Sequence, residues 1–294
     1  MAATTVPNLE IKDVRIGWWR QLQNYGAIGL SLLFTCIVLA PLVAILGYLL
    51  YKGFGSVNLA FLTQTPKPVG EVGGGMANAI VGSVMILGIA SLIGVPLGIG
   101  TGIYLAEFGH KTFGNAVRFT ADVLNGIPSI VIGITVYALV VVPQKHFSAL
   151  AGGIALGIMM VPTVSRTTEE MLAMVPQSIR EAAWGLGIPH WRTTLSITLR
   201  SAMSGVITGV MLAFARVAGE TAPLLFTAFG NQFWNKDPNQ PTAALPLQIF
   251  VYAISPFDDW HRQAWAGALV LVTGVFCVNI LVRFLTRGRG ASVV

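Results

Sequence analysis

Charge is what this sequence lacks. Asp, Glu, Lys and Arg together make up 10% of its 294 residues, where a soluble globular domain carries about 25%. Hydrophobic residues make up 54%, so lipid rather than water is the expected solvent. Cysteine is nearly absent: Cys36 and Cys277 each fall inside an apolar run. No disulfide or metal framework is suggested, and both read as small buried hydrophobes. The histidines His110, His146, His190 and His261 are scattered without metal-ligand spacing, and no Ser/His/Asp or Cys/His arrangement stands out. Neither a catalytic residue nor a metal site is therefore expected. A Gly-x-x-x-x-Gly-Lys-Ser/Thr phosphate loop is also missing. The glycine cluster at 70–75 has no Lys-Ser or Lys-Thr after it and reads as a loop. If the chain moves something uphill, the nucleotide chemistry must lie on another polypeptide.

The chain has long apolar runs in abundance. About 20 apolar residues cross a bilayer as a helix, and the sequence offers 27–50, 77–105, 123–142, 149–169, 202–226 and 264–286. The expected class is an all-α integral membrane protein with six transmembrane helices. The polar leader before the first run and the absence of a clear cleavage site favour a retained anchor over a signal peptide. The net charge of +6 comes from cations placed between apolar runs, not along one face, so nucleic acid is not an expected partner. With six spans, Lys12, Arg15, Arg20, Lys111, Arg118, Arg166, Arg180, Arg192, Arg200, Arg283, Arg287 and Arg289 share the side of the termini. Lys52, Lys67, Lys145, Lys236 and Arg262 lie opposite. That excess puts both termini in the cytoplasm.

Gly94, Gly98 and Gly102 recur every fourth residue in the second run. They form a small-residue ridge on which another helix backbone can approach closely, and Pro96 within it is expected to bend the helix. The expected organisation is an N-terminal arm (1–26), a six-span body (27–286), a cytoplasmic loop (171–200), a long outward loop (227–263) and a short tail (287–294).

Loop 171–200 is the most informative soluble stretch. Pro176 suits a helix start, Gly187 a left-handed stop, and Pro189 prevents smooth continuation. The result is a helix, a corner and a second helix. Ala182, Ala183, Trp184, Leu186 and Ile188 are expected to leave an apolar surface in water, which calls for a protein partner. Glu181-Ala182-Ala183, then Gly187, Ile197 and Leu199, resembles the EAA loop of ABC importer permeases. The resemblance implies a coupling helix that docks on an ATPase subunit through Glu181, Ala182, Ala183 and Gly187. Arg200 stands where that family has proline, which bears on how the chain enters the fifth span.

One cation, Arg216, falls inside a span, four residues before Glu220. On a continuous helix the two would share a face and touch. Two readings follow: a polar lock between helices, or an anion path in which the guanidinium fork meets a tetrahedral oxyanion. The second reading has Glu220 neutralise Arg216 at rest until phosphate competes for it. Arg216 with Gly219-Glu220-Thr221-Ala222-Pro223-Leu224 resembles the phosphate permeases of the PstA type. The segments 125–131 with Gly133, and 244–250, fit the same family. The resemblance implies a Type I ABC importer permease fold with cytoplasmic coupling helices, in a bacterial inner membrane. It also implies a second homologous permease, an ATPase dimer carrying ATP and Mg, a phosphate-binding protein, and inorganic phosphate as cargo. The substrate path it implies is Arg216 and Glu220, with Thr221 beside them in the same motif. Ser129, after the helix-breaking Pro128, reads equally as pore lining or as part of a kinked packing helix. Phe233, Trp234, Tyr252, Phe257 and Trp260 in the outward loop suit either contact with the delivering protein or anchoring at headgroups. Permeases for sulfate or molybdate, and an ATP-independent channel or secondary transporter, are the alternatives.

Overall fold

The computed structural model describes residues 17–109 and 112–287. Expectations for Lys12, Arg15, His110, Lys111 and Arg289, for most of the N-terminal arm and for the tail beyond Arg287 lie outside the described residues. The described residues are mostly helical, with strand pairing limited among them to two isolated bridges, Pro66 with Gly74 and Phe229 with Thr242. They fall into two units, up to Leu50 and from Tyr51 onward.

The described part of the first unit is almost entirely α1 (Trp18–Phe54), whose last residues belong to the second unit and which runs through Pro41 without a break. It starts ahead of the expected span at 27, because residues 18–26 contain no helix stop before Gly26. Leu32, Leu33 and Phe34, consecutive and so turned to different faces of the helix, are all exposed. A helix this apolar all round is suited to lipid.

In the second unit the helices are α2 (Leu59–Thr63), α3 (Ala77–Phe108), α4 (Thr112–Gly126), α5 (Ser129–Val136), α6 (Val142–Gln144), α7 (Ala149–Ala173), α8 (Gln177–Gly185), α9 (His190–Thr193), α10 (Leu199–Ala218), α11 (Ala222–Thr227), α12 (Leu245–Ala253) and α13 (Asp258–Arg287). Wide π-helical turns at Tyr137–Val141 and Thr194–Thr198 join α5 to α6 and α9 to α10. Five stretches are long and apolar enough to cross a membrane: Trp18–Phe54, Ala77–Phe108, Ala149–Ala173, His190–Ala218 and Asp258–Thr286. The pair Thr112–Gly126 and Ser129–Gln144, bent by 101° at the break, supplies a sixth. The expected third span, 123–142, therefore straddles a break. Pro128 is extended (φ −56°, ψ 134°) and disfavours helix in the residue before it.

The body is organised on α3 and α7, which run parallel. A Cβ placed on Gly94, Gly98 or Gly102 would stand 2.7 Å from Met160 Cβ, 2.6 Å from Val164 Cβ and 2.5 Å from Thr168 Cβ respectively. The ridge read from the sequence is thus the seam, and α3 continues helically through Pro96. Around the seam lies the main core, with Ile86, Leu156, Met160, Val164, Val217 and Leu224 fully buried. On its other side α10 packs on α7, where Gly205 faces Met171 and Gly209 faces Thr167.

At the end of the bundle where α3 and α7 begin, the long loop folds back. A Cβ on Gly82 would collide with the Ala243 carbonyl, and the Leu245 amide donates to Ser83 Oγ (2.7 Å). Within this layer Tyr252 stacks on Trp260 (4.4 Å between centroids) and is 1% exposed. Of the five loop aromatics, Tyr252 therefore belongs to the core, while Phe233 and Trp234 stay exposed. Burial pushes the Tyr252 phenol above its ordinary value, opposed by a hydrogen bond with Gln248. The glycine cluster is an ordered turn: Gly70, Gly73 and Gly74 have positive φ, and the Gly75 amide donates to Thr65 O.

Cys36 and Cys277 are exposed, contrary to the burial read from their apolar surroundings. Both sit on faces that this chain leaves uncovered, and an apolar run does not distinguish lipid from protein as its neighbour.

Gly98→Val should drive α3 and α7 apart at a cost of about 1–3 kcal/mol, the range for overpacking a core. Gly100→Val, where an added Cβ meets nothing within 4 Å, should leave stability unchanged. Thermal unfolding of the two variants in detergent checks the contrast.

Candidate functional site

Two places hold the residues singled out from the sequence. The first is the elbow after α7. Gln177–Gly185 form α8, and Gly187 takes φ +76°, the left-handed stop that glycine adopts without steric cost. The turn is closed by Gly187 N donating to Trp184 O (2.9 Å) and Ile188 N to Ala183 O (3.1 Å). Pro189 then caps α9. Glu181, Ala182 and Gly187 are exposed, as are Trp184, Leu186 (81%) and Trp191 (64%). Ala183 is 4% exposed and packs inward, so it supports the elbow instead of adding to its outer face. Arg200 interrupts nothing: α9, the π turn and α10 form one helical path from His190 to Ala218.

The elbow's inner face carries a cluster that sequence reading missed. Arg180 donates to Glu107 Oε1 and to the Leu172 carbonyl (2.8 Å). Its partner Glu107, on α3, has a side chain only 3% exposed, and His190 Nε2 lies 3.8 Å from its other oxygen. The His190 ring packs between Trp184 (5.4 Å) and Phe108 (5.3 Å). Beside this, Arg118 donates to the Leu105 and Gly109 carbonyls at the end of α3 and to Glu169 (2.6 Å) on α7. Arg166 adds longer pairings to Glu169 and Glu170. No local spacing betrays the Arg180–Glu107 contact, because its partners are 73 residues apart.

The second place is a pair of helix breaks. α10 ends at Ala218, Gly219 caps it, and α11 starts only at Ala222 with Pro223 in its first turn. Glu220 and Thr221 thus lie in the break, and the expected helical face shared by Arg216 and Glu220 does not exist. They form no ion pair among the described residues, where the pairs present involve Arg118, Arg166, Arg180, His190 and Arg262. Neutralisation of Arg216 by Glu220 is therefore not a feature of this conformation. A glycine followed by proline within a few residues is a helix-stop signal, and it was there to be read. Arg216 sits in the last turn of α10, where the unsatisfied carbonyls favour a cation. It is exposed on the surface of this chain, whereas Glu220 and Thr221 are half-buried.

The other break, between α4 and α5, is drawn toward the first. A Cβ on Gly133 of α5 would stand 2.6 Å from Pro223 Cα of α11, so the two short helices touch backbone to backbone. Ser129 is the first residue of α5 and is half-buried. Asn125, on the far side of that break, shares a hydrogen bond with Thr163 Oγ1 (3.2 Å). The motifs at 125–133 and 216–224, far apart in sequence, thus touch at Gly133 and Pro223. Among the described residues no cluster of His, Cys, Asp and Glu has the make-up to hold a metal.

The family model described as binding-protein-dependent transport system inner membrane component matches residues 98–290. A Yersinia pestis protein named phosphate transport system permease protein PstA is 48% identical over 268 residues, covering 91% of each chain. A Methanocaldococcus jannaschii protein with the name probable phosphate transport system permease protein PstA is 35% identical, covering 86% of this chain and 90% of its own. Among solved structures, the inward-facing MetNI methionine ABC transporter aligns with a TM-score of 0.59 at 15% identity, over 73% of this chain and 97% of the matched chain. That last likeness concerns the fold alone.

Gly187→Val places a β-branched residue at positive φ and should destabilise the elbow by about 1–2 kcal/mol through the clash of Cβ with its own backbone, with no added clash against neighbouring residues, because its surroundings are open. Gly187→Asn should be tolerated, since Asn also serves in that conformation. The rate of limited proteolysis within 176–190 separates the two.

Proposed function

Because this chain belongs to the family of binding-protein-dependent transport system inner membrane components, we propose that it is the membrane-spanning permease subunit of an ATP-driven phosphate importer. It is a multi-pass protein with the Type I ABC importer permease fold, and it contributes half of the translocation path. It is not itself an enzyme: ATP, with Mg, is hydrolysed on a separate ATPase dimer. A phosphate-binding protein delivers the cargo on the opposite side, and a second, homologous permease completes the path. Both termini and the elbow face the cytoplasm, in keeping with the excess of Lys and Arg on that side.

The observation that carries the substrate path is Arg216, a cation inside the span His190–Ala218 that is exposed on its own chain and has no ion pair among the described residues. A charge facing lipid costs up to about 2.5–3.5 kcal/mol on insertion scales, the figure for a span's centre, so such residues favour a polar interior. An interface with the second permease supplies that interior. There the guanidinium offers two parallel donors to phosphate oxygens. The breaks beside it leave backbone groups of Gly219–Thr221 and Ile127–Pro128 outside regular helix, which a membrane tolerates where backbone lines a cavity or is covered by protein. Glu220, held off Arg216 by the break, leaves the cation free to meet an anion. Thr221 and Ser129 add hydroxyls near the two breaks. Identity of 48% and 35% to proteins named as phosphate permeases favours phosphate over sulfate or molybdate.

In proteoliposomes holding the assembled complex, Arg216→Gln should lower phosphate uptake by at least about a hundredfold, the scale for removing a charged donor worth about 3 kcal/mol; uptake at the parental rate would show that the anion does not use it. A tenfold excess of sulfate (about ten equivalents, to displace a competitor of equal affinity) should leave labelled phosphate uptake intact, whereas strong inhibition would assign the permease to another oxyanion. Deleting 176–190 should abolish co-purification of the ATPase. Retention of uptake without any ATPase would instead indicate a channel or secondary transporter.

A further inference from the structure

The face of the elbow turned away from its expected motor partner holds a feature that docking does not require. One carboxylate, Glu107 at the end of α3, receives both arms of the elbow: Arg180 of α8 on Oε1, and His190 of α9 toward Oε2 at 3.8 Å. Arg180 reaches on to the Leu172 carbonyl of α7 (2.8 Å). Glu107 is 3% exposed and Arg180 10% at the side chain. Placing so buried an ion pair here is a poor route to stability, because apolar residues of similar volume serve as well or better. What an ion pair provides instead is a directional, fixed geometry.

That geometry matters because the elbow is otherwise tied to the membrane helices by two softer routes. Backward along the chain it meets α7 through Met174 to Pro176, outside regular helix. Forward it meets α10 through the π turn at Thr194–Thr198, where the buried Thr198 hydroxyl has no hydrogen-bond partner. The end of α3, in contrast, is stiff. Arg118 binds its Leu105 and Gly109 carbonyls and Glu169 of α7, and the glycine seam joins α3 to α7 over the turns above.

We propose that Glu107, Arg180 and His190 are positioning residues that form a strut, through which displacement of the elbow is delivered to the joined α3–α7 pair as well as to α10. This rests on the reading of the elbow as the ATPase-coupling element. The strut stays closed through the transport cycle, so the elbow and the end of α3 move together.

The test uses the assembled complex in proteoliposomes and measures phosphate moved per ATP hydrolysed, a ratio that loss of folded complex does not change. Binding of ATPase to the parental chain is established first, and its absence would overturn the coupling reading and the strut with it. Glu107→Gln should keep ATP hydrolysis in the assembled complex while lowering the ratio by about tenfold, within the range for coupled neighbours. The double change Glu107→Leu with Arg180→Met fills the same space with apolar atoms, protects against a folding defect, and should be uncoupled in the same way. In a background with Cys36 and Cys277 changed to Ser, Glu107→Cys with Arg180→Cys should be uncoupled as free thiols. A flexible thiol cross-linker joining them should restore the ratio. A parental ratio in Glu107→Gln or in the Leu/Met pair would overturn the strut. So would cross-linked protein that hydrolyses ATP without transport, because the elbow would then have to leave α3 in each cycle.

Discussion

The close parallel contact of α3 and α7 is the constraint from which the remaining architecture follows. In lipid there is no hydrophobic gain from bringing two apolar helices together, so association relies on packing and hydrogen bonds. Glycine at every fourth position lets the backbone of α3 approach the side chains of α7 with no Cβ between them. Such a seam fixes the register of the pair, and everything at its two ends inherits that register. At one end the long loop lies on Gly82 and Ser83. At the other, the ends of α3 and α7 come together, and Arg118 and Arg180 find carboxylates and terminal carbonyls within reach. A shift of the seam by one residue would scatter both sets of contacts.

The two broken helices are supported in a similar way. Irregular backbone within a membrane needs either protein cover or a wet cavity. Gly133 against Pro223 gives the cover on one side, because only a residue without Cβ admits the α11 backbone so closely. Leu224 is fully buried in the same core as Ile132 and Val136. The short helices α5 and α11 are therefore anchored by their far sides, and their starting turns lie beside the breaks. Local irregularity is held by regular packing behind it.

What could be read in the sequence divides by the range of the interaction. The glycine seam and the elbow were legible because each needs only local spacing: Gly94, Gly98 and Gly102 on one helix face, and Gly187 before Pro189. All-α membrane architecture followed from composition. The break at Gly219–Thr221 was legible in principle, since Gly219 and Pro223 are the usual helix-stop residues, but the apolar run around them hid it and made Arg216 and Glu220 look like neighbours. Burial of Ala183 and exposure of Cys36 and Cys277 were not legible, because a small or apolar residue suits lipid, core and interface alike. The contacts of Glu107 with Arg180 and of Arg118 with Glu169 were invisible for a different reason. Each joins residues from separate helices, and no single-sequence periodicity encodes which carboxylate a given arginine will find.

The ion pairs bring Arg216 into relief. Where the chain takes arginines out of water, it meets them fully: Arg180 has a buried carboxylate and a carbonyl, and Arg118 has a carboxylate, two carbonyls and the Asn115 side chain. Among the described residues nothing comparable is provided for Arg216, which has the partial charge of its own helix end and no carboxylate. Glu220 stands only four residues away in sequence, yet the helix stops first. Had stability been the only demand, continuing the helix through Gly219 would have brought the two charges onto one face. The break forgoes that pairing. The fold pairs its arginines where α3 and α7 end and leaves Arg216, in the last turn of α10, without a carboxylate among the described residues; under the proposed function, that is the cation a transient partner of opposite charge would meet.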